Sequence, residues 1–318
     1  MKILAIGGGG YLGGALVDLL VKNGDNVHVY DSLLYERQYF KPVPFHYGDV
    51  RDKHRLLRLI DGEDYDAIVW LAAIVGDPAC SYNEDIAREV NQDAVEWLSS
   101  IAGDRRICFP SSCSVYGSNM KRGLVEEDDA RPLSIYAETK LNAEKFLLNK
   151  NAVIFRLGTL FGLGDKFARP RFDLVVNVMT ANMVEAGKLT VFGGDQMRPL
   201  VHVQDVARAI RCAIYNNCCG IYNLTNYNMR IDELAQKIRD VLGYGTIENS
   251  EREGDGMDAR DYSVSCEKFI RDFQMEFHYP LERAIAEIAY AIEHKRVKNF
   301  RSKVFNNLLN IKDNLSNG

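Results

Sequence analysis

The chain has 318 residues, 47% of them hydrophobic and 26% charged. These proportions exclude a disordered, collagenous or coiled-coil protein and allow a sizeable core. A balance of 39 Lys and Arg against 44 Asp and Glu, a net charge of −5, argues against a generally basic nucleic-acid binder. An apolar run over 2–6 predicts a first strand, and 11–22 a helix with Leu12, Leu16, Leu19 and Leu20 on one face. Further strands are predicted at 26–30, 44–47, 67–71, 106–110 and 152–157, with helices at 52–60, 84–101 and 134–149. This alternation implies an α/β chain built on a parallel sheet covered on both faces. The second half is less regular. Helices are predicted at 173–186, 203–215 and 231–242, a strand at 189–192, and loops where Gly, Asn and Asp cluster at 162–165, 193–195 and 254–258. From residue 295 on, six Lys or Arg accompany one Asp, and Phe300, Val304, Leu308 and Ile311 recur at helical spacing. That pattern predicts an amphipathic helix packed on the body or a partner rather than on a membrane.

The length suggests about two domains. The first apolar run is too short for a signal peptide, and the stretch 67–75 falls well short of the ~20 residues that span a bilayer. A cytoplasmic protein without membrane contact is expected. Seven cysteines at irregular spacing, with Cys218 and Cys219 adjacent, read as reduced thiols rather than a disulfide framework or a zinc site. No metal is expected.

The run Gly7-Gly8-Gly9-Gly10-Tyr11-Leu12-Gly13-Gly14 follows a strand and opens a helix. Glycine there permits a tight turn, backbone approach to a diphosphate, and close packing of helix on strand. The helix N-terminus then offers N–H donors and positive dipole to the phosphates. Asp31 ends the second strand about 20 residues on, where an acid holds the ribose hydroxyls and repels a 2′-phosphate. NAD is therefore expected rather than NADP. Asp49 and Val50 stand where the adenine would lie, although Asp49 and Asp52 both also suit a helix cap. Leu71, Ala72 and Ala73 end the fourth strand with small residues that admit the cofactor.

Tyr136 and Lys140 lie at i, i+4 near the start of a helix, on one face. An ammonium beside a phenol favours the phenolate, which makes tyrosine usable as a base. Ser112, after the fifth strand, could hydrogen-bond the reacting oxygen. In isolation such a Tyr–Lys pair would be an ordinary surface pair; the glycine loop and Asp31 change that reading.

With these motifs in order, and with RPLVHVQDVA at 198–207 and REGD at 252–255, the sequence resembles the extended short-chain dehydrogenase/reductases of the sugar-nucleotide epimerase/dehydratase group. The resemblance runs from residue 1 to about 270. It implies a Rossmann-type doubly wound sheet with a smaller α/β substrate-binding domain. The expected division is 1–165, with parts of about 195–225 returning to it, and 166–318. The resemblance also implies that Tyr136 takes the proton of a sugar C4 hydroxyl, that Lys140 binds the nicotinamide ribose, and that Ser112 shares the substrate hydroxyl. Arg252 would grip the substrate diphosphate, Arg198 could reach the nucleotide or phosphates, and Asn177 would bind substrate from its helix. His202 reads as a structural histidine.

Cys113 and Ser114 stand where dehydratases of the group carry an Asp-Glu pair, so dehydration is disfavoured. Cys113 is also offset by one from the cysteine of 3,5-epimerases. Thr159 replaces an asparagine common in the group. Cys113, Ser114 and Thr159 are still expected to line the substrate site. What is left is C4 oxidation: a 4-dehydrogenase, resembling bacterial enzymes acting on nucleotide sugars such as a GDP-heptose, with a 2-oxo acid as a possible hydride acceptor, or a 4-epimerase. An NAD(H)-binding redox sensor is the non-enzyme alternative. The resemblance further implies a homodimer through the helices at 84–101 and 134–149, with Val90, Ala94, Trp97 and Leu98 supplying apolar surface.

Overall fold

The computed structural model describes residues 1–250 and 260–315. Seven strands form one fully parallel sheet: β1 (Lys2–Ile6), β2 (Asn26–Asp31), β3 (Phe45–Tyr47), β4 (Ala67–Trp70), β5 (Arg106–Ser112), β6 (Ala152–Leu157) and, out of sequence order, Gly220–Leu224. The last of these pairs in parallel with β6. The central strands are apolar on both faces because helices cover both. Every residue of β4 and all but the first of β1 are buried. The spatial order runs from Gly220–Leu224 through β6, β5, β4 and β1 to β2 and β3. The winding order of the strands therefore reverses between β1 and β4, and at such a switch point the connections diverge and leave a crevice beyond the carboxyl ends of the strands.

The first half follows its apolar pattern closely, and the departures have local causes. The strand predicted at 106–110 runs on to Ser112, which puts both serines on the strand end. The helix predicted over 84–101 is interrupted by a π turn at Glu89–Asp93. There Asn91 is buried and exchanges hydrogen bonds with the backbone of Ile74, accepting at 2.8 Å and donating at 2.9 Å. Val90, Ala94 and Leu98 pack into the chain's own core, so they are not the free apolar surface that a dimer through this helix was expected to use.

Beyond the seven-stranded sheet lie a three-stranded sheet (Thr159–Phe161, Met197–His202 and Tyr227–Arg230) and a parallel pair (Lys188–Phe192 with Thr246–Ser250). All of these except Lys188–Phe192 escaped the sequence reading, as did the helices Glu267–Phe273 and Leu281–Glu293. The tail is not one amphipathic helix. A 3-10 turn at Lys303–Phe305 precedes a helix at Asn307–Leu315, so Phe300 and Ile311 enter different clusters, one with Phe172 and the other with the main core. Among the described residues no helix is long and apolar enough to cross a membrane, no cluster could hold a metal ion, and the seven cysteines are free thiols.

A buried ion pair locks the helix Ile135–Leu147 onto the sheet. Glu144 (1% exposed) meets Arg156 of β6 (4% exposed) through Nη2–Oε2 at 2.8 Å and Nε–Oε1 at 3.1 Å. Ser111 of β5 donates to the same carboxylate, and Arg156 Nη1 donates to the Tyr116 hydroxyl at 3.0 Å. Removing one partner of such a pair strands the other charge in the interior. Glu144→Ala is expected to cost about 3–5 kcal/mol, measured by chemical denaturation.

Candidate active site

A cavity of about 950 Å³ follows the crevice from Asp31 past the glycine loop to Tyr136. The turn that opens it needs glycine for two separable reasons. Gly7 has φ +84°, and a Cβ at Gly7 or Gly13 would fall 2.3 or 2.7 Å from backbone atoms, so these two let chain cross chain. Gly10 is different. A Cβ there would meet nothing nearer than 3.6 Å, because it would face the crevice. Gly10 also caps the helix Tyr11–Lys22 without a side-chain acceptor, which leaves the first N–H groups for an anion. The adjacent Tyr11 hydroxyl donates to Gly162 O at 2.5 Å and ties the loop to the opposite wall.

Asp31 accepts from Gly9 N at 2.8 Å and from Leu33 N at 2.7 Å. Burial pushes its carboxyl up, and these N–H bonds oppose the push. Leu33 has φ +53°, a left-handed conformation rare for leucine, in the turn that aims Asp31. Asp49 and Val50 line the same cavity, as do Leu71, Ala72 and Ala73. Asp52, not Asp49, caps the following helix, while Asp49 is paired with Arg51 at 2.9 Å.

At the other end, Ser112, Tyr136 and Lys140 line one stretch of wall. Ser134 caps the helix that carries the last two, and its hydroxyl also donates to Asp77 at 2.6 Å. Burial pushes the Tyr136 phenol above its ordinary range, opposed by the Arg171 cation and by a hydrogen bond with Ser112. Lys140 lies with Nζ 2.8 Å from Pro110 O and over the Phe109 ring. Burial lowers its pKa to about 8.

The residues expected at the substrate end separate. Cys113 and Thr159 line the cavity, but the Cys113 thiol is buried against Arg156 O at 3.2 Å and burial pushes its pKa up, away from acid chemistry. Ser114 donates to Ser112 at 2.8 Å and so orients it. Asn177 does not reach the cavity. Its amide is saturated by Gly162 N and O and by Arg171 O, so it braces the wall from behind. Arg198 also stands behind the wall, holding the carbonyl of Arg260, and it is Arg260 that lines the cavity and pairs with Asp77 at 3.0 Å. Arg252 lies outside the described residues. His202 is structural: it caps a helix, stacks on Tyr279, and is pushed down to about 4 by burial. The sequence reading gave no role to Arg169, Arg171, Arg260 and Tyr262, which also line the cavity. Two segments carried a visible signal: RPRFDLVVN at 169–177, with two arginines beside a helix start, and DARDYSVSCEK at 258–268, which holds Arg260 and Tyr262.

Residues 3–225 match the model of the NAD dependent epimerase/dehydratase family. The chain belongs to this family. Among curated relatives, the UDP-glucose 4-epimerase of Lactobacillus helveticus is 25% identical over 276 residues, covering 76% of this chain and 82% of that one. Among solved structures, the UDP-glucose 4-epimerase of Thermotoga maritima with UDP-glucose superposes with a TM-score of 0.82 at 21% identity, over 93% and 100% of the two chains. The UDP-glucose 4-epimerase of Brucella ovis in complex with NAD gives 0.79 at 22% identity, over 91% and 97%. The protein is thus an NAD-dependent enzyme of the sugar-nucleotide epimerase/dehydratase type. Its residues fit that cofactor: Asp31 for a ribose, the open side of Gly10 and the free helix start for the diphosphate, and the Tyr136–Lys140 wall for the nicotinamide end.

For a family member with this loop, Gly10→Ala is expected to leave thermal stability nearly unchanged while weakening NAD binding roughly tenfold or more, about 1.4 kcal/mol. Gly13→Ala is expected to lose about 1–3 kcal/mol of stability through overpacking. Calorimetric titration and melting curves separate the two. Lys140 yields a pH test on cofactor-free protein. An unfolded lysine titrates near 10.4, and folded Lys140 near 8. Between these values the unfolded state holds more protons, so the Lys140 contribution to stability rises with pH. Wild type is expected to gain stability relative to Lys140→Met from pH 7.5 to 9.5 in parallel denaturant titrations.

Proposed function

We propose that the enzyme oxidises the C4 hydroxyl of a nucleotide sugar to a 4-keto sugar nucleotide. The convergence of Ser112 and Tyr136 on one wall of the cofactor crevice carries this reading. Tyr136 takes the hydroxyl proton, and Ser112, oriented by Ser114, holds the oxygen as it becomes a carbonyl. Lys140, in the same wall, would bind the nicotinamide ribose, while the cation that opposes the rise of the Tyr136 pKa is Arg171. When bound, NAD accepts the hydride leaving the sugar carbon and can give it back. Loss of water is disfavoured, because the position after Ser112 holds a buried thiol with its proton retained rather than an acid.

The arrangement favours turnover without release of the dinucleotide. The segment around Asn306–Leu308 lines the same cavity as the glycine loop. Its Asn307 donates to Val75 O at 3.1 Å, and Asn314 donates to Leu34 O. A 4-epimerase needs a retained cofactor, and the UDP-glucose 4-epimerases among the relatives support that outcome. The alternative outcome is a 4-dehydrogenase: the segments RPRFDLVVN (169–177) and DARDYSVSCEK (258–268) resemble those of bacterial enzymes that oxidise nucleotide sugars such as a GDP-heptose. It would fit the same enclosure if a 2-oxo acid took up the hydride in place.

The test is mass spectrometry and NMR of GDP-, UDP-, dTDP- and CDP-sugars incubated with enzyme and NAD, with and without a 2-oxo acid. An unchanged mass with a new sugar signal identifies the epimerase. A product two hydrogens lighter that depends on the oxo acid identifies the dehydrogenase. Loss of one water would overturn the reading. Tyr136→Phe is expected to lower the rate roughly 10²–10⁴-fold with NAD still bound.

A further inference from the structure

The chemistry above leaves one buried cation without a task. Arg171 is accounted for by its two-pronged pair with Asp173, at 2.9 and 3.0 Å. Arg169 is not. Its side chain is only 9% exposed, yet Nε and Nη1 have no hydrogen-bond partner among the described residues. Nη2 donates to Asn307 Oδ1, and Nε stands 3.9 Å from Glu36, an ion pair too long for a hydrogen bond. The guanidinium lies over the Tyr35 ring, 4.9 Å from its centroid. The Asn307 side chain reaches Val75 O, while its backbone N donates to Asp173 at 2.9 Å. Arg169 is therefore held on a fixed frame that leaves two of its nitrogens, and the three N–H groups they carry, unused.

A guanidinium keeps its charge, and buried donors without acceptors are costly. Glu36 is a weak counter-ion, since burial pushes its pKa up to about 7. Arg169 lines the crevice between Tyr35 and Glu36, which follow Asp31, and Val75, which follows Leu71–Ala73 on the opposite wall. Arg169 thus faces the cavity between the Asp31 end and the Leu71–Ala73 wall, and the anionic part of the family's cofactor is its diphosphate. A planar fork of N–H donors matches phosphate oxygens in a way that an ammonium does not.

We propose that Arg169 is a diphosphate ligand of the crevice, anchored by Asn307 of the C-terminal segment. Two diphosphates enter this site, that of NAD and that of the nucleotide sugar; the position beside Tyr35 favours NAD. The proposal rests on the family's cofactor and not on whether the 4-keto sugar is released or reduced.

The experiment is calorimetric titration of nucleotide-free full-length protein with NAD, adenosine, UDP and GDP, for wild type, Arg169→Met, Arg169→Lys and Asn307→Ala. No turnover is needed, so the outcome is independent of the proposed reaction. Arg169→Met is expected to weaken NAD roughly tenfold or more, the scale of a lost hydrogen bond to a charged group, with adenosine unchanged. Arg169→Lys should restore part of the loss, and Asn307→Ala should shift NAD in the same direction by less. Weaker UDP or GDP binding with NAD unchanged would assign the ligand to the sugar nucleotide and still support a diphosphate site. Unchanged binding of all three diphosphate compounds overturns the proposal, as does an equal loss for adenosine and NAD. If Arg169→Met does not fold, Arg169→Lys carries the test: NAD, UDP and GDP binding equal to wild type would overturn it.

Discussion

The parting of β1 and β4 is the constraint from which the rest of this molecule follows. All seven strands of the large sheet run in parallel, so every βα connection leaves from the same edge, and only where the winding reverses can two connections separate. The glycine loop leaves on one side of that parting and Leu71–Ala73 on the other. They come so close that a single Cβ on Gly7 would strike Ala72. The helix Ile135–Leu147, which carries Tyr136 and Lys140, packs above the strand ends. Glu144, one turn beyond Lys140, holds it by binding Arg156 and Ser111 together. The carboxylate thereby ties the helix that carries Tyr136 to β5, whose last residue is Ser112, and to β6.

Much of this was legible in the sequence, and the parts that were not share a cause. Strands buried on both faces write themselves as runs such as Ala67–Trp70, and a phosphate loop writes itself in glycine; both signals are local. Asp31, Tyr136, Lys140 and Ser112 sit at strand or helix ends that such signals locate. The substrate half of the site depends on contacts between segments far apart in the chain. Asn177 has the right residue type on the expected helix, but Gly162 and Arg171 use its whole amide. Arg198 has the right charge, yet the strand it sits on turns it toward the carbonyl of Arg260 rather than into the crevice. No spacing rule could exchange Arg198 for Arg260.

The tail shows the same limit. Phe300, Val304, Leu308 and Ile311 keep helical spacing, which predicts one continuous face. Packing overrides it: Phe172 and Ile288 draw Phe300 into one cluster, and the core beside Ile74 and Cys80 takes Ile311 into another, with a break between them. The π turn at Asn91 is a smaller case of local periodicity yielding to one buried hydrogen-bond demand, here the backbone of Ile74.

That the crevice wall includes Asn306–Leu308 has a consequence for how the protein is made. The glycine loop, Asp31 and the seven-stranded sheet are complete once synthesis has passed Leu224, but the wall is not. A nascent chain still short of residue 307 therefore holds every strand of the large sheet but lacks part of the crevice wall. Full enclosure arrives only when a segment nearly 300 residues downstream of the glycine loop folds back across it.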